Sequence, residues 1–303
     1  MIGGQTGPVP APSVVDRVVP WLLRLAWIVV LVAGGAAIDG AAAGRSDTVG
    51  NVARYAGFAG WVIGVAAMAV PAVVSLTAAR VVVPLAIPIA VVSLVAGADG
   101  LDGVFFLVGG LLATVIVFSA ELGRTFAQAS AYGEEDRHLL RPPAAYAAAS
   151  VLAWALWAVV SISAPLLLAD GRWIIGVAAT IVAIVLGVFG WPRWHRLSTR
   201  WFVIVPIGLV VHDSLVLGET LMLRRQELAA VRLAPADTDA ADLTGPAAGH
   251  AIEISTLEPV TVHLAATPKA PRGNVIHMRA GLVAPSRPGR ALSAAADRRL
   301  PVG

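Results

Sequence analysis

The side chains able to do chemistry in this chain are few, and their spacing suits little of it. The histidines are His138, His195, His212, His250, His263 and His277. All fall outside the long apolar stretches, so a serine nucleophile inside a membrane would have no base within hydrogen-bond reach. Cysteine is absent, which excludes disulfides, thiolate nucleophiles and Cys-ligated zinc or iron–sulfur centres. Neither HExxH nor the phosphate-cradling GxxxxGK[ST] occurs. Asp237-x-Asp239-x-x-Asp242 offers carboxylates to calcium but lacks the central Gly and closing Glu of an EF-hand loop, and reads as a solvated loop. His250, Glu253, His263 and His277 would hold a metal only if neighbouring strands brought them together, and scattered strand histidines read as ordinary surface residues. Glu134-Glu135-Asp136-Arg137-His138 reads as a solvated charge run. No catalytic residue, cofactor or metal is therefore expected.

The remaining polar residues matter for where they stand. Asp39, Asp99, Asp102, Glu121 and Asp170 fall at the ends of apolar stretches, where water reaches them. Arg24 lies about one turn inside the first stretch and can snorkel beside Trp21; an ion pair with Glu121 is the other reading. With no charge expected at mid-membrane, acid–base relays for proton or cation coupling have little support. Gly57, Gly60 and Gly64 form a small-residue face with GxxxG spacing in the last pair. It suits packing within the chain or a seam with a second copy. Pro71, Pro84, Pro88 and Pro165 can kink their helices.

These residues sit in a chain of 303, of which 57% are hydrophobic and 14% charged, with mean hydropathy +0.79. Soluble domains carry about 25% charged residues, so this composition is that of an integral membrane protein. Six apolar stretches are legible: Trp21–Ile38, Tyr55–Ala78, Val81–Ala96, Val104–Ala120, Ala144–Ala169 and Trp173–Phe189. A span needs about 17–25 residues. The third and fourth are at the lower edge and are joined by a short turn, so a tight hairpin or a re-entrant pair fits there. Ala41-Ala42-Ala43 resembles a leader cleavage site, but the apolar segment is too long and Arg17 too far from the start. A retained span is expected. Arg17, Arg24, Arg80, Arg124, Arg137, Arg141, Arg193, Arg196 and Arg200 fall on one side, against Arg45, Arg54 and Arg172 on the other. Cytoplasmic loops carry the Lys/Arg excess, so both termini are expected inside a cell membrane. Lys269 is the sole lysine, and no dense basic patch suggests a nucleic-acid partner.

Beyond Phe189 the hydrophobic period falls to that of strands: Trp201–Val205, Gly208–Asp213, Glu219–Leu223, Ala251–Ser255, Pro259–Leu264 and Asn274–Val283. Ser286, followed by Arg287 and Pro288, reads as the cap of a final helix reaching about Leu300. The text Arg200-Trp201-Phe202-Val203-Ile204-Val205, the hairpin through Pro206-Ile207-Gly208, the pair Arg224-Arg225 and the apolar run Leu228–Leu233 resemble bacterial PH-like domains appended to membrane spans. The whole arrangement also resembles uncharacterised actinobacterial multi-pass membrane proteins, which imply no activity. The resemblance implies strands closed at one end by a helix.

The expected fold is thus a six-helix transmembrane bundle plus a small β-rich PH-like domain with a terminal helix. The expected segments are a disordered tail over 1–17, spans over 18–190 and a cytoplasmic domain over 191–303 with a mobile loop at 234–249. Trp191, Trp194 and Trp201 bracket Arg193, Arg196 and Arg200 as a membrane-interface belt facing lipid headgroups. The expected role is non-enzymatic: an anchor presenting an interaction domain to a protein partner or a lipid surface. A transporter or channel subunit, with the hairpin over 81–120 as its moving part, is the alternative.

Overall fold

A computed structural model describes residues 14–266 and 270–303, and the chain divides into two compact units. One holds the described residues up to Phe126 together with Ala149–His195; the other holds Ala127–Ala148 and Arg196–Gly303. The expected tail lies outside the described residues except for 14–17, which form the first turn of α1.

In the first unit, α1 (Val14–Ala42) and α2 (Asp47–Ala69) are followed by a third span built from α3 (Val73–Val82) and α4 (Ala86–Val95), with a 3-10 turn at Val83–Leu85 between them. The fourth span is α5 (Gly100–Val117); a short amphipathic α6 (Ala120–Gln128) follows. α7 (Ala144–Ala169) and α8 (Trp173–Ser198) complete six helical segments long and apolar enough to cross a membrane.

The boundary between the second and third spans differs from expectation. The apolar run Tyr55–Ala78 is not one helix: α2 stops at Ala69, and Val70 is extended (φ −114°, ψ 106°). Pro71 causes the stop, because its ring disfavours helical backbone in the residue before it. Pro71 ends a helix rather than kinking one, and Thr77 and Arg80 move into the third span. The third and fourth spans are then 23 and 18 residues long.

α1 packs against α2, α4 and α5. Small residues make the approach close. A Cβ on Gly34 would lie 3.0 Å from Phe106, and one on Gly103 would overlap Leu94. Ala37, Ala90 and Ala113 are fully buried, while large side chains such as Leu152 and Val115 point outward.

The second unit is built of strands. One sheet has the order β1 (Asp136–Leu139), β2 (Trp201–Val205), β3 (Gly208–His212), β4 (Leu221–Arg224), all antiparallel. The other runs β5 (Leu228–Leu233), β7 (Ile252–Leu264), β8 (Asn274–Val283), β6 (Ala241–Asp242), with β6 parallel to β8. The two expected strands 251–255 and 259–264 are one strand bent at a register shift between Ser255 and Val260. Bridges Leu140–Pro285 and Leu217–Leu264 link the sheets. Phe202, Ile204, Leu209, Leu223, Ile252 and Ile254 form the core, joined by Ala291, Ala295 and Leu300 from α9 (Pro288–Asp297) and the turn after it.

Two local expectations differ from the structure, and a third segment has structure of its own. The charge run 134–138 is not wholly a solvated loop: Asp136, Arg137 and His138 enter β1 and are buried, while Glu134 and Glu135 precede it. Ser286 does not cap α9; its hydroxyl donates to the Leu139 carbonyl (2.8 Å) and fastens the start of α9 to β1. The segment 234–249 is anchored at its middle, where β6 pairs with β8 and Leu243 enters the core.

Candidate functional site

The residues from Trp191 to Trp201 carry the clearest functional expectation. In α8, the Trp191 ring lies parallel to His195 at 6.3 Å, and the Arg193 guanidinium donates back to the Phe189 carbonyl. Trp194 is buried; its indole N–H donates to the Ser150 carbonyl (3.2 Å) and its ring meets Trp157 edge-on. His195 bonds the Thr77 hydroxyl at 2.9 Å. Because α8 continues to Ser198, His195 lies inside the last helix and not beyond it, a correction to the placement of all histidines outside the spans.

In the strand unit, Arg196 donates to the Ser214 carbonyl (2.6 Å). Arg200 is 1% exposed and makes a bidentate ion pair with Asp213 at 2.7 and 2.5 Å, with Nη1 donating to the Arg141 carbonyl. A guanidinium so enclosed cannot meet a headgroup. Of the six residues expected at the membrane interface, Arg200 and Trp194 are enclosed by protein, Trp191, Arg193 and Arg196 are exposed, and Trp201 is half-buried. Trp201 lies under the Arg137 guanidinium, 4.5 Å from its ring centroid. Arg141 donates to the His250 carbonyl, and burial pushes its guanidinium below the usual arginine range.

The buried polar residues near β1 form a latch. The Gln128 amide donates to the Glu135 carbonyl (2.7 Å) and accepts from the Arg137 N–H (3.0 Å), while Arg137 pairs with Glu135. His138 Nε2 stands 3.5 Å from Asp136. The bonds to Gln128 and Glu135 are what burial demands of Arg137, whereas His138 Nε2 makes no hydrogen bond among the described residues. The unbroken run of ionisable residues over 134–138 hid this strand; its one sequence signal is Leu139-Leu140 closing the run.

The metal candidates do not converge. Glu253 pairs with Arg232 (2.8 Å) and accepts from the Thr238 hydroxyl, while His277 bonds Thr261. The Thr238 hydroxyl, and Arg232 after it, hold the Glu253 carboxyl below the usual range against the opposing effect of burial. Asp242 is used locally, accepting from the Thr244 N–H and hydroxyl. Among the described residues no group of three or more His, Cys, Asp or Glu side chains could hold a metal ion.

Among the bundle residues, Gly64 and Gly57 face neighbours: added Cβ atoms would lie 2.5 Å from Trp27 and 2.8 Å from Ile38. Gly60 meets nothing within 4 Å, so the contact spacing is seven residues rather than four. Arg24 stacks over the Trp21 ring at 4.6 Å, and the ion pairs on α1 are Asp16 with Arg124 (3.2 Å) and Asp39 with Arg54, not Arg24 with Glu121. Arg80 is an in-span charge that the misplaced helix boundary concealed. Its Nε donates to the Val117 carbonyl (3.3 Å) at the end of α5, and it faces the Phe118 ring. A cation at a helix C-terminus meets the negative end of the dipole and an otherwise orphaned carbonyl.

Fold and side-chain placement together define a multi-pass α-helical membrane protein with a distinct C-terminal β/α region. No family model matches the chain, and no curated protein or solved structure matches it.

Proposed function

We propose that this protein is a non-enzymatic membrane anchor presenting a PH-like interaction domain to a protein partner on the cytoplasmic side. The observation that carries the reading is the self-contained core of the strand unit, two four-stranded sheets followed by α9. That order is what the PH-like resemblance implies. Two cation–carboxylate pairs in this unit brace its strands, Arg232–Glu253 across β5 and β7 and Arg200–Asp213 beside the ends of β2 and β3, which supports a binding role over catalysis. The cytoplasmic placement rests on the arginines: with Arg80 withdrawn into the third span, Arg17, Arg24, Arg124, Arg137, Arg141, Arg193, Arg196 and Arg200 still outnumber Arg45, Arg54 and Arg172.

β4 ends its sheet and exposes Met222, and β5 exposes Leu233. A photo-crosslinking residue placed at Met222 or Leu233 in native membranes is expected to give a discrete protein adduct. Lipid adducts alone, or none from both positions, overturn the reading. A reporter active only outside the cell and fused after Gly303 is expected to stay silent. Arg80 is an observation on the side of a transporter, since in-span charge marks ion and substrate paths; its engagement with the end of α5 favours a structural role.

A further inference from the structure

α1 carries an exposed row of four residues, Arg17, Trp21, Arg24 and Ile28. Steps of four, three and four keep them on one face of a helix with 3.6 residues per turn. Trp21 opens the apolar stretch, so the row passes from a cation outside it, through an aromatic ring, to a second cation and then an aliphatic side chain. Beside the lower half of this row, between α1 and α2, lies a cleft of about 420 Å³ lined by Arg24, Trp27, Ile28, Trp61, Val65 and Met68. Ala69, the last residue of α2, also lines it, which places its mouth where the chain turns toward the third span.

The cleft has a built floor. The Trp27 indole N–H donates to the Trp61 carbonyl (3.0 Å), and the Trp61 indole N–H donates to the Trp27 carbonyl (2.8 Å). Gly64 makes room for the Trp27 ring. Both indole donors are satisfied, so the rings offer an apolar surface. At the mouth the situation is the opposite. Among the described residues Arg17 and Arg24 make no hydrogen bond or ion pair, and Arg24 stacks on Trp21. A guanidinium just inside the apolar layer without an acceptor is unfavourable. A phosphate diester supplies bidentate acceptors, and Arg17 lies about 10 Å further up the same helix face.

We propose that the α1–α2 cleft binds one phospholipid of net negative headgroup charge. Its phosphate sits between Arg17 and Arg24, and one acyl chain lies over Trp61, Val65 and Met68. Charge complementarity selects the anionic headgroup, because a zwitterionic one returns a cation toward the arginines. The site is independent of the PH-like reading and rests only on α1 and α2 crossing a bilayer.

The test uses the full chain in detergent, mixed with equal amounts of a phosphatidylglycerol and a phosphatidylcholine bearing the same acyl chains. Native mass spectrometry counts the lipid retained. The wild type is expected to retain the anionic lipid at least threefold over the zwitterionic one. R17Q/R24Q is expected to bring the two to parity, and Ile28→Trp, which fills the cleft and keeps both charges, to lower the retention of both. Parity in the wild type overturns the proposal whatever the variants do, as does an unchanged preference in R17Q/R24Q.

Discussion

The two units of this chain differ in where they leave their large aliphatic side chains. In the strand unit the largest apolar residues are innermost, with Phe202, Ile204, Leu209 and Leu223 closed off and Met222 and Ile207 left outside. In the helical unit Ala37, Ala79, Ala90 and Ala113 are fully buried beside Leu23, Leu76 and Val83, while many other valines, leucines and isoleucines point outward along every span. The hydrophobic effect explains the first: water drives large apolar area inward, at about 25 cal/mol per Å². It cannot explain the second, because lipid tails are as apolar as leucine. Helices there gain most from close backbone approach, which small residues permit. The spans also differ among themselves. In the most apolar windows of α7 and α8 only 11% is buried, against 39% for α1.

Breaking the Arg200–Asp213 pair tests the contrast most severely. Arg200→Ala leaves a carboxylate enclosed without its partner, at a cost of about 3–5 kcal/mol. Residues 196–303 of the solubilised protein are expected to lose protease resistance. Replacing both partners with apolar residues, Arg200→Met with Asp213→Leu, is expected to recover most of it; no recovery would mean that the pair itself specifies the fold.

Leucine truncations come next. Leu209→Ala is expected to destabilise the strand unit by about 2–5 kcal/mol, while Leu152→Ala, 72% exposed on α7, shifts the thermal midpoint by the equivalent of less than about 0.5 kcal/mol. Similar losses at both positions would erase the inversion. A smaller effect separates two glycines of α2. Gly64→Ala forces a Cβ against the Trp27 ring and is expected to cost about 1–3 kcal/mol, whereas Gly60→Ala meets open space and leaves the midpoint unchanged or slightly raised. Equal midpoints for the two variants would place the α1–α2 contact elsewhere.

The mildest expected effect is a pH dependence. The Thr238 hydroxyl holds the folded Glu253 carboxyl below its unfolded value, which lies at about 4.3. A depressed folded value stabilises above the unfolded one, and that stabilisation fades as pH falls through the folded one. Thr238→Val removes the leading cause. The gap in melting temperature between wild type and T238V is therefore expected at pH 7 and to narrow below about pH 4. A constant gap down to pH 3 would assign the loss to packing alone.

What was legible in the sequence follows the same divide. Continuous apolar runs and β-alternation placed the six spans and strands β2, β3 and β8, because each pattern reports one local periodicity. Two local signals were outweighed. Pro71 acts on the backbone of Val70, and that single break overrode an apolar run on either side of it. β1 was illegible because Asp136, Arg137 and His138 are buried by partners distant in sequence; Trp201 covers Arg137, and β2 pairs all three. The enclosure of Arg200 was illegible for the same reason. Nothing within its own stretch announces Asp213 as a buried acceptor. The Arg17–Trp21–Arg24–Ile28 row needed only the helical period to be seen, but its cleft depends on Trp61, thirty-odd residues away in α2.

The origin of β1 has a consequence for biosynthesis. Leu139 pairs with Trp201, and the whole of α7 and α8 lies between them in the chain. The first sheet can close only if both partners emerge on one side of the bilayer, so α7 and α8 must cross an even number of times. At about 5–20 residues per second, the ribosome delivers β2 about 3–12 seconds after β1. During that interval β1 is an orphan strand with buried-type charges exposed to water. A hairpin inserted as a single crossing leaves it so permanently, without its sheet and open to proteolysis. The sheet thereby acts as a parity check on membrane insertion, read out after α8 is complete.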